Sequence, residues 1–599
     1  MRSSSPSGMS FALACLRHCC WRRGLLALPA AALIGCSSPT VVRPTAATGG
    51  APSAIDVKPQ PSAVSTAHPL ATHAALRVLA EGGNAIDATI AAQLVLGLVE
   101  PQSSGLGGGS MLLVWNPARQ QLRSYDGLAA APAHTTASLR TDVDGRLLNA
   151  DAVSRGGRSV GVPGTPALLA LAHQEQGRLP WAQLFQPAIE LARGGHPMAP
   201  YVHAILARDP GARLHPEFRD DWFGPDGRPW PVGKLMRNPT YADTLQQLAT
   251  QGTANWLRHG AAQRLADAAQ RGEHPGLIRS DDVLRYRVVE RDPLCATVRV
   301  WKVCSVAPPS FGGIAILQML QMVDLQNPGG IDAAALDGTA FWHRYVEAGR
   351  LAQADRRQWV GDPDQVAVPT QAMLAPAYVH RRAALIDPSH ALRAVRAGQP
   401  LSASLSSRSD DHSTVAAETS QIVVADAQGM VATTTTTINL NFGSRLRVDG
   451  YVLNNVLTNF GAAPTPGQVM ANQMAPGKRP VTSMAPVIVF DAQGHALVAG
   501  GSAGGGQIVD YVARSLIEML WLGRSPAQVL AAGHVSTAFA PRVQLEAGTA
   551  RAALADGLRA LGHDVVVQPL PSGAGFLQRV PGGWIGAADP RRDGVALGQ

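Results

Sequence analysis

Thr419 opens an apolar run, Glu418-Thr419-Ser420-Gln421-Ile422-Val423-Val424-Ala425-Asp426, and five consecutive threonines, Thr433 to Thr437, follow soon after. A threonine at the head of a strand can become a catalytic N-terminus if the chain cuts itself just before it. The freed α-amine then serves as base for the hydroxyl of the same residue. Thr and Val are also good strand formers, and local sequence by itself favours a strand without chemistry. The histidines are scattered without paired ligand spacing, and neither a metal site nor a cofactor is expected. The turn Ser104-Gly105-Leu106-Gly107-Gly108-Gly109 precedes a strand instead of opening a helix, which fails the context of a phosphate cradle. Its glycines are expected to let backbone approach backbone.

The elements that must position Thr419 come from a chain of 599 residues, 46% hydrophobic and 16% charged, which can bury a large core. Helices are expected at 71–81 and 84–99, the second nearly all apolar apart from Asp87, and a strand at 110–115. From Pro166 to about Gly330 the periodicity is mainly helical, with one hairpin around Cys295 and Cys304; helices continue at 341–354 and 378–387. Residues 398–417, including Asp410, Asp411, Ser413 and Thr414, read as a polar, exposed stretch, where a chain could be cleaved and its new ends moved apart. Strands then follow at 421–425, 430–438, 450–453, 487–490 and 496–500, and helices at 508–522 and 526–532. This order predicts an α/β sandwich, two sheets stacked between helical layers.

The first 36 residues differ in kind. Arg22-Arg23 precede an apolar stretch of about 12 residues, too short to span a bilayer and suited to a signal peptide. Leu33-Ile34-Gly35-Cys36 resembles a bacterial lipobox, which predicts a signal peptide over 1–35 and a lipid on Cys36, anchoring the exported chain to a membrane in the bacterial envelope. Residues 36–66 read as a flexible tether. Formal charge is +8, but residues 1–35 carry four arginines and no acid, so the mature balance is +4. No Lys/Arg block suited to nucleic acid remains. Beyond Cys36 the mature chain has Cys295 and Cys304. A turn near Arg299 and Val300 would set these two opposite each other, so a cross-strand disulfide is expected in an oxidising compartment.

In order along the chain come Glu81-Gly82-Gly83-Asn84-Ala85-Ile86-Asp87-Ala88, Pro101 through Gly109, Val160-Gly161-Val162-Pro163-Gly164, and Pro308-Pro309-Ser310-Phe311-Gly312-Gly313. Asn454-Asn455, Pro476 through Met484, Gly504-Gly505 and Ala588 through Gly594 complete the series. With these motifs the chain resembles the gamma-glutamyltranspeptidase family of N-terminal-nucleophile hydrolases over roughly residues 65–599. The resemblance implies a four-layer αββα sandwich built jointly by two halves of a self-cleaved chain, a large part 67–418 and a small part 419–599. It implies that Thr419 attacks the carbonyl of Glu418 and, once freed, a substrate amide. Thr437 would hold the Thr419 hydroxyl, and the N–H groups of Gly504 and Gly505 would stabilise the oxyanion. Asn439 and the position of Asn459 would meet a substrate ammonium, with Thr482 and Ser483 offering hydroxyls to a carboxylate. Water or an amine would accept the acyl group.

The chain departs from the family at the substrate pocket. Where relatives carry an arginine inside Asp-Gly-Arg-Glu, this chain reads Asp126-Gly127-Leu128-Ala129; Val456 replaces a polar residue and Asn459 an aspartate. A charge-assisted hydrogen bond contributes about 1.5–3 kcal/mol, so losing two could cost about 3–6 kcal/mol, or roughly 10² to 10⁴ in kcat/KM. Cleavage machinery without those two charges fits an amidase or acylase for a less polar acyl group. A glutathione hydrolase with a rebuilt carboxylate site, and a silent lipid-anchored binding protein of the same fold, are the competing expectations. Arg445 and Arg447 could replace the lost charge, though solvated surface arginines are the commoner outcome.

Overall fold

The computed structural model describes residues 58–599 apart from 137–143, 145, 147, 210, 215, 273, 401–407, 414–417 and 463–467. The signal segment, Cys36 and most of the expected tether therefore lie outside the described residues. The expected tether ends too late: Ala63–Thr66 is a fully buried strand, paired with Ile422–Ala425 on one side and Val595–Gly598 on the other. Its Ser/Thr/Ala composition reads as a linker, and only partners far along the chain make it a strand.

Two antiparallel sheets form the centre. The seven-stranded sheet runs in the order Val595–Gly598, Ala63–Thr66, Glu418–Ala425, Val431–Asn439, Gly109–Asn116, Gln121–Gly127, Val289–Arg291. The six-stranded sheet runs Gly583–Ala588, Gly575–Val580, Ala496–Gly501, Val487–Phe490, Trp301–Ser305, Leu294–Val298. Side chains alternate across each strand, and the buried clusters follow that alternation. Val423, Ala425, Leu113 and Met111 from the first sheet meet Ile488, Ala499, Cys304 and Leu577 from the second in one apolar layer. The other face of the first sheet, with Ile422, Val424, Leu112 and Val114, packs under the helices Pro69–Ala80 and Ala85–Val99. The other face of the second, with Val487, Val489 and Val498, packs on Gly312–Gln326, Thr339–Trp359 and Ile508–Leu522. The result is the expected αββα order of layers.

Helix Ala85–Val99 is buried at every position. Its start is fixed by a capping box: Asn84 accepts from the N–H groups of Ile86 and Asp87, and Asp87 accepts from the Asn84 N–H. Cys295 and Cys304 face each other across the hairpin and are bonded. Between 166 and 330, where helices and one hairpin around Cys295 and Cys304 were expected, Val289–Arg291 adds an edge strand to the first sheet. Of the polar stretch, 401–407 and 414–417 lie outside the described residues. Asp411 is buried instead of exposed, because Arg356 and the Asn472 amide hold its carboxylate.

Candidate active site

Thr419 lies second in the strand Glu418–Ala425, which starts three residues before the expected 421–425 and runs unbroken across the Glu418–Thr419 bond. Pairing with the threonine strand slips there: Glu418 opposes Asn439 and Ser420 opposes Thr436, so Thr437 and Ile438 together face Thr419. A bulge of this kind disrupts the ladder locally and re-aims side chains. The threonine run divides by face. Thr433 donates to the Gly500 carbonyl at 3.0 Å and Thr435 to Gln421 Oε1 at 2.8 Å, both towards the second sheet. Thr436 faces the helices and accepts from Ser110 at 2.8 Å.

Thr437 does not hold the Thr419 hydroxyl in this unbroken chain. Its own hydroxyl donates to the carbonyl oxygen of Glu418 at 2.5 Å, and the Asn439 N–H donates to Thr437 Oγ1 at 2.8 Å. A donor on that oxygen polarises the carbonyl that Thr419 would attack and would stabilise the charge developing on it. The Gly-rich turn fixes this strand end. Ser103 O accepts from the Ile438 N–H at 2.9 Å. A Cβ on Gly108 would fall 2.2 Å from the Thr437 carbonyl oxygen, and one on Gly107 2.0 Å from that of Val452. The expected close backbone approach is present.

Asn439 takes a left-handed conformation, φ 83°, which Asn tolerates better than most residues. Its Nδ2 donates to Asn455 O at 3.1 Å and Thr458 Oγ1 at 2.8 Å, which locks the turn. Asn455 Oδ1 accepts from the Leu440 N–H, and Asn454 bridges Gly107 and Gly161. The paired asparagines are therefore backbone clamps around the site.

Four residues given no role from sequence complete the surroundings. Arg592 donates to the Thr419 carbonyl at 2.9 Å through Nη1 and to Glu418 Oε2 at 3.1 Å through Nη2. Its Nε donates to Ser572 O at 2.9 Å, and the guanidinium lies over the Tyr201 ring. Tyr201 and Ser103 donate to the Glu418 carboxylate, each at 3.2 Å. Ser420, next to the nucleophile, donates to Glu100. These partners come from remote parts of the chain; for Arg592 the sequence signal was its place in the closing Asp-Pro-Arg-Arg-Asp-Gly motif.

Gly504 and Gly505 follow strand Ala496–Gly501 in a turn tied to this cluster, since the Ala503 N–H donates to Gly573 O beside Arg592. Ser483 donates to the Gly505 carbonyl at 2.6 Å, and Thr482 Oγ1 accepts from the Met484 N–H at 3.3 Å. Both hydroxyls are thus engaged with backbone. Leu128 is buried in one apolar cluster with Ala129, Val456, Leu457 and Phe460. Asn459 is also buried, and its Oδ1 has no hydrogen-bond partner among the described residues. Arg445 is buried against Asp209 rather than solvated, and Arg447 pairs with Asp221, so both charges are engaged. Thr419 itself is 3% exposed. Cavities of about 790, 600 and 520 Å³ open elsewhere, each lined without it.

Comparison with known proteins agrees with this arrangement. Residues 71–599 match the family model described as gamma-glutamyltranspeptidase. A glutathione hydrolase proenzyme of Bacillus subtilis (strain 168) is 31% identical over 551 residues, covering 89% of this chain and 91% of the relative. An acylase ACY 1 proenzyme of Pseudomonas sp. (strain SE83) is 31% identical over 557 residues, covering 89% and 93%. The solved structure of a cephalosporin acylase from Bacillus halodurans superposes with TM-score 0.78 at 25% identity, over 90% of this chain and 96% of that one.

Proposed function

The chain belongs to the gamma-glutamyltranspeptidase family of enzymes, and on that premise we propose that it is a self-cleaving amidohydrolase whose acyl group is less polar than γ-glutamyl. The single observation that carries the self-cleavage is the Thr437 hydroxyl on the Glu418 carbonyl oxygen at 2.5 Å. Thr419 Oγ adds to that carbonyl carbon, the C–N bond breaks, and the nitrogen takes up a proton, leaving an ester. Water hydrolyses the ester, so Glu418 ends in a carboxylate and Thr419 begins a second chain, with the division at 418/419. In turnover the free α-amine takes the proton of Thr419 Oγ as it attacks a substrate amide. The Gly504 and Gly505 N–H groups hold the oxyanion, and water or an amine receives the acyl group.

Specificity is argued from the acyl side. Leu128 with Val456, Leu457 and Phe460 presents hydrocarbon where the family's resemblance places charged recognition. Burying a substrate ion against such a wall without a partner is costly, and γ-glutamyl brings an ammonium as well as a carboxylate. The similarity to acylases supports the same direction. Asn459, uncharged where the resemblance implies an aspartate and buried, leaves a substrate ammonium without its counter-charge, which supports an acyl group lacking that ammonium. The leader and Cys36 support an exported chain, lipid-anchored and facing the periplasm, and the Cys295–Cys304 bond suits an oxidising compartment.

The test compares two anilides in the cleaved protein, γ-glutamyl and glutaryl, the second lacking the α-amino group. Preference for the glutaryl compound in kcat/KM, by about 10-fold or more, is expected. A γ-glutamyl compound turned over about 10²-fold faster than the glutaryl one would restore the conventional glutathione-hydrolase reading.

A further inference from the structure

Glu100 follows the buried helix Ala85–Val99 directly and is 1% exposed. Its Oε2 accepts the Ser420 hydroxyl at 2.8 Å; Ser104 donates to the same Ser420 oxygen at 3.1 Å, and Gln102 Nε2 lies 3.4 Å from Glu100 Oε1. Charged and titratable groups face it from three other elements. Glu418 stands on the nucleophile's strand, Tyr201 on helix Pro200–Arg208, and Arg592 with Asp593 on the C-terminal segment. Glu100, Glu418 and Asp593 thus share the Arg592 guanidinium, which is already committed to Glu418 and to the Thr419 carbonyl. Burial above all, with Glu418 and Asp593 adding repulsion, pushes the Glu100 carboxyl up to about 7 against the pull of Arg592 and Ser420. The negative end of the helix above it acts in the same direction.

By alternation along the strand, Ser420 points to the helices and Thr419 to the second sheet, so this carboxyl does not meet the reacting hydroxyl. It matters once the Glu418–Thr419 bond has opened, because the new α-amine then belongs to the residue beside Ser420. We propose that Glu100 is a positioning residue for the nucleophile's base: through Ser420 it anchors the head of the strand, and its charge sets the pH at which the Thr419 α-amine becomes free. This rests on Thr419 being released by self-cleavage.

An α-amino group ordinarily titrates at about 7.7–8.0. A nearby carboxylate favours the ammonium form and raises that value. Glu100 titrates in an overlapping range, so the acid limb of turnover belongs to the pair rather than to either group. Glu100→Gln keeps the shape and an acceptor for Ser420 while removing the charge. The acid limb of kcat/KM, measured between about pH 5.5 and 9.5 on whichever anilide wild type turns over, is therefore expected to move down by about half a unit or more. Intact mass confirms that both full-length proteins are cut after Glu418. An unmoved limb in two cut proteins overturns the proposal. If Glu100→Gln stays whole, Glu100→Asp decides: an Asp variant that is cut and whose acid limb moves supports the proposal, while one cut with an unmoved limb, or two whole variants, assigns Glu100 to packing and overturns it. A whole wild type instead overturns the underlying assignment of Thr419, and is told apart by the mass of the unsubstituted protein.

Discussion

The Thr437 hydroxyl has one proton and spends it on the Glu418 carbonyl, while its oxygen accepts from the Asn439 N–H. In the unbroken chain it is therefore engaged with the bond proposed to be cut. Thr437→Ala should slow cleavage of purified precursor by about 10²–10³, the usual cost of losing one oxyanion donor, whereas Thr437→Ser keeps the donor and should remain close to wild type. A time course on denaturing gels reads both; equal rates for wild type and Thr437→Ala would remove this role. The spacing of Thr419, Thr437 and Asn439 was legible because a short strand, a turn and a return strand fix it locally, whereas the roles expected of them came only from the family resemblance. Arg592, Tyr201 and Ser103 were not legible, because they reach Glu418 or Thr419 from sequence separations of 173 to 315 residues. Leu128 and Asn459 were legible only as departures from a family pattern, and burial in the apolar cluster gives Leu128 its physical meaning.

At the scale of elements, the strands Val487–Phe490 and the helix Ile508–Leu522 match their expected bounds, because each is a long apolar or cleanly periodic run. Gly575–Val580 and Gly583–Ala588 escaped notice: glycines and mixed polar residues hide the period-two pattern, and pairing with Ala496–Gly501 and with each other defines them. Helix Pro69–Ala80 begins at His68, whose Nδ1 accepts the Leu70 N–H at 3.2 Å. That acceptor exists only on the neutral ring. Burial, and secondarily His196, lowers the His68 pKa to about 4. Between there and the ordinary histidine value near 6.5, the unfolded chain binds the extra proton, so stability rises with pH across the window and is lost as pH falls through it. His563, lowered to about 3 chiefly by burial, acts in the same sense. The thermal midpoint should fall between about pH 6.5 and 4, and less so in His68→Asn, which caps without titrating. Parallel curves for the two proteins would dismiss His68 as a contributor.

For the whole molecule, the proposed division at 418/419 would run through the interleaved sheets. In the first sheet, Val595–Gly598 and Glu418–Ala425 flank Ala63–Thr66, and Val431–Asn439 pairs with Gly109–Asn116. In the second, Val487–Phe490 pairs with Trp301–Ser305. Segments from before and after Thr419 are thus neighbours in both sheets, and pulling them apart would strip two ladders and the apolar layer between them. Strands bounded by long apolar helices suggested a sandwich, but periodicity does not fix how sheets stack, and the four-layer order came from the family resemblance. Interleaving was not legible, since register between distant strands leaves no local trace. Cleavage should therefore release no fragment under native conditions. The most direct test is intact-mass measurement, under denaturing conditions, of purified wild type and Thr419→Ala, each first passed through a native sizing column. The account predicts one native species for each protein: wild type as two chains, the smaller beginning at Thr419, and Thr419→Ala as one uncut chain. A wild type that stays whole at neutral pH, or is cut with a different new N-terminus, would contradict it.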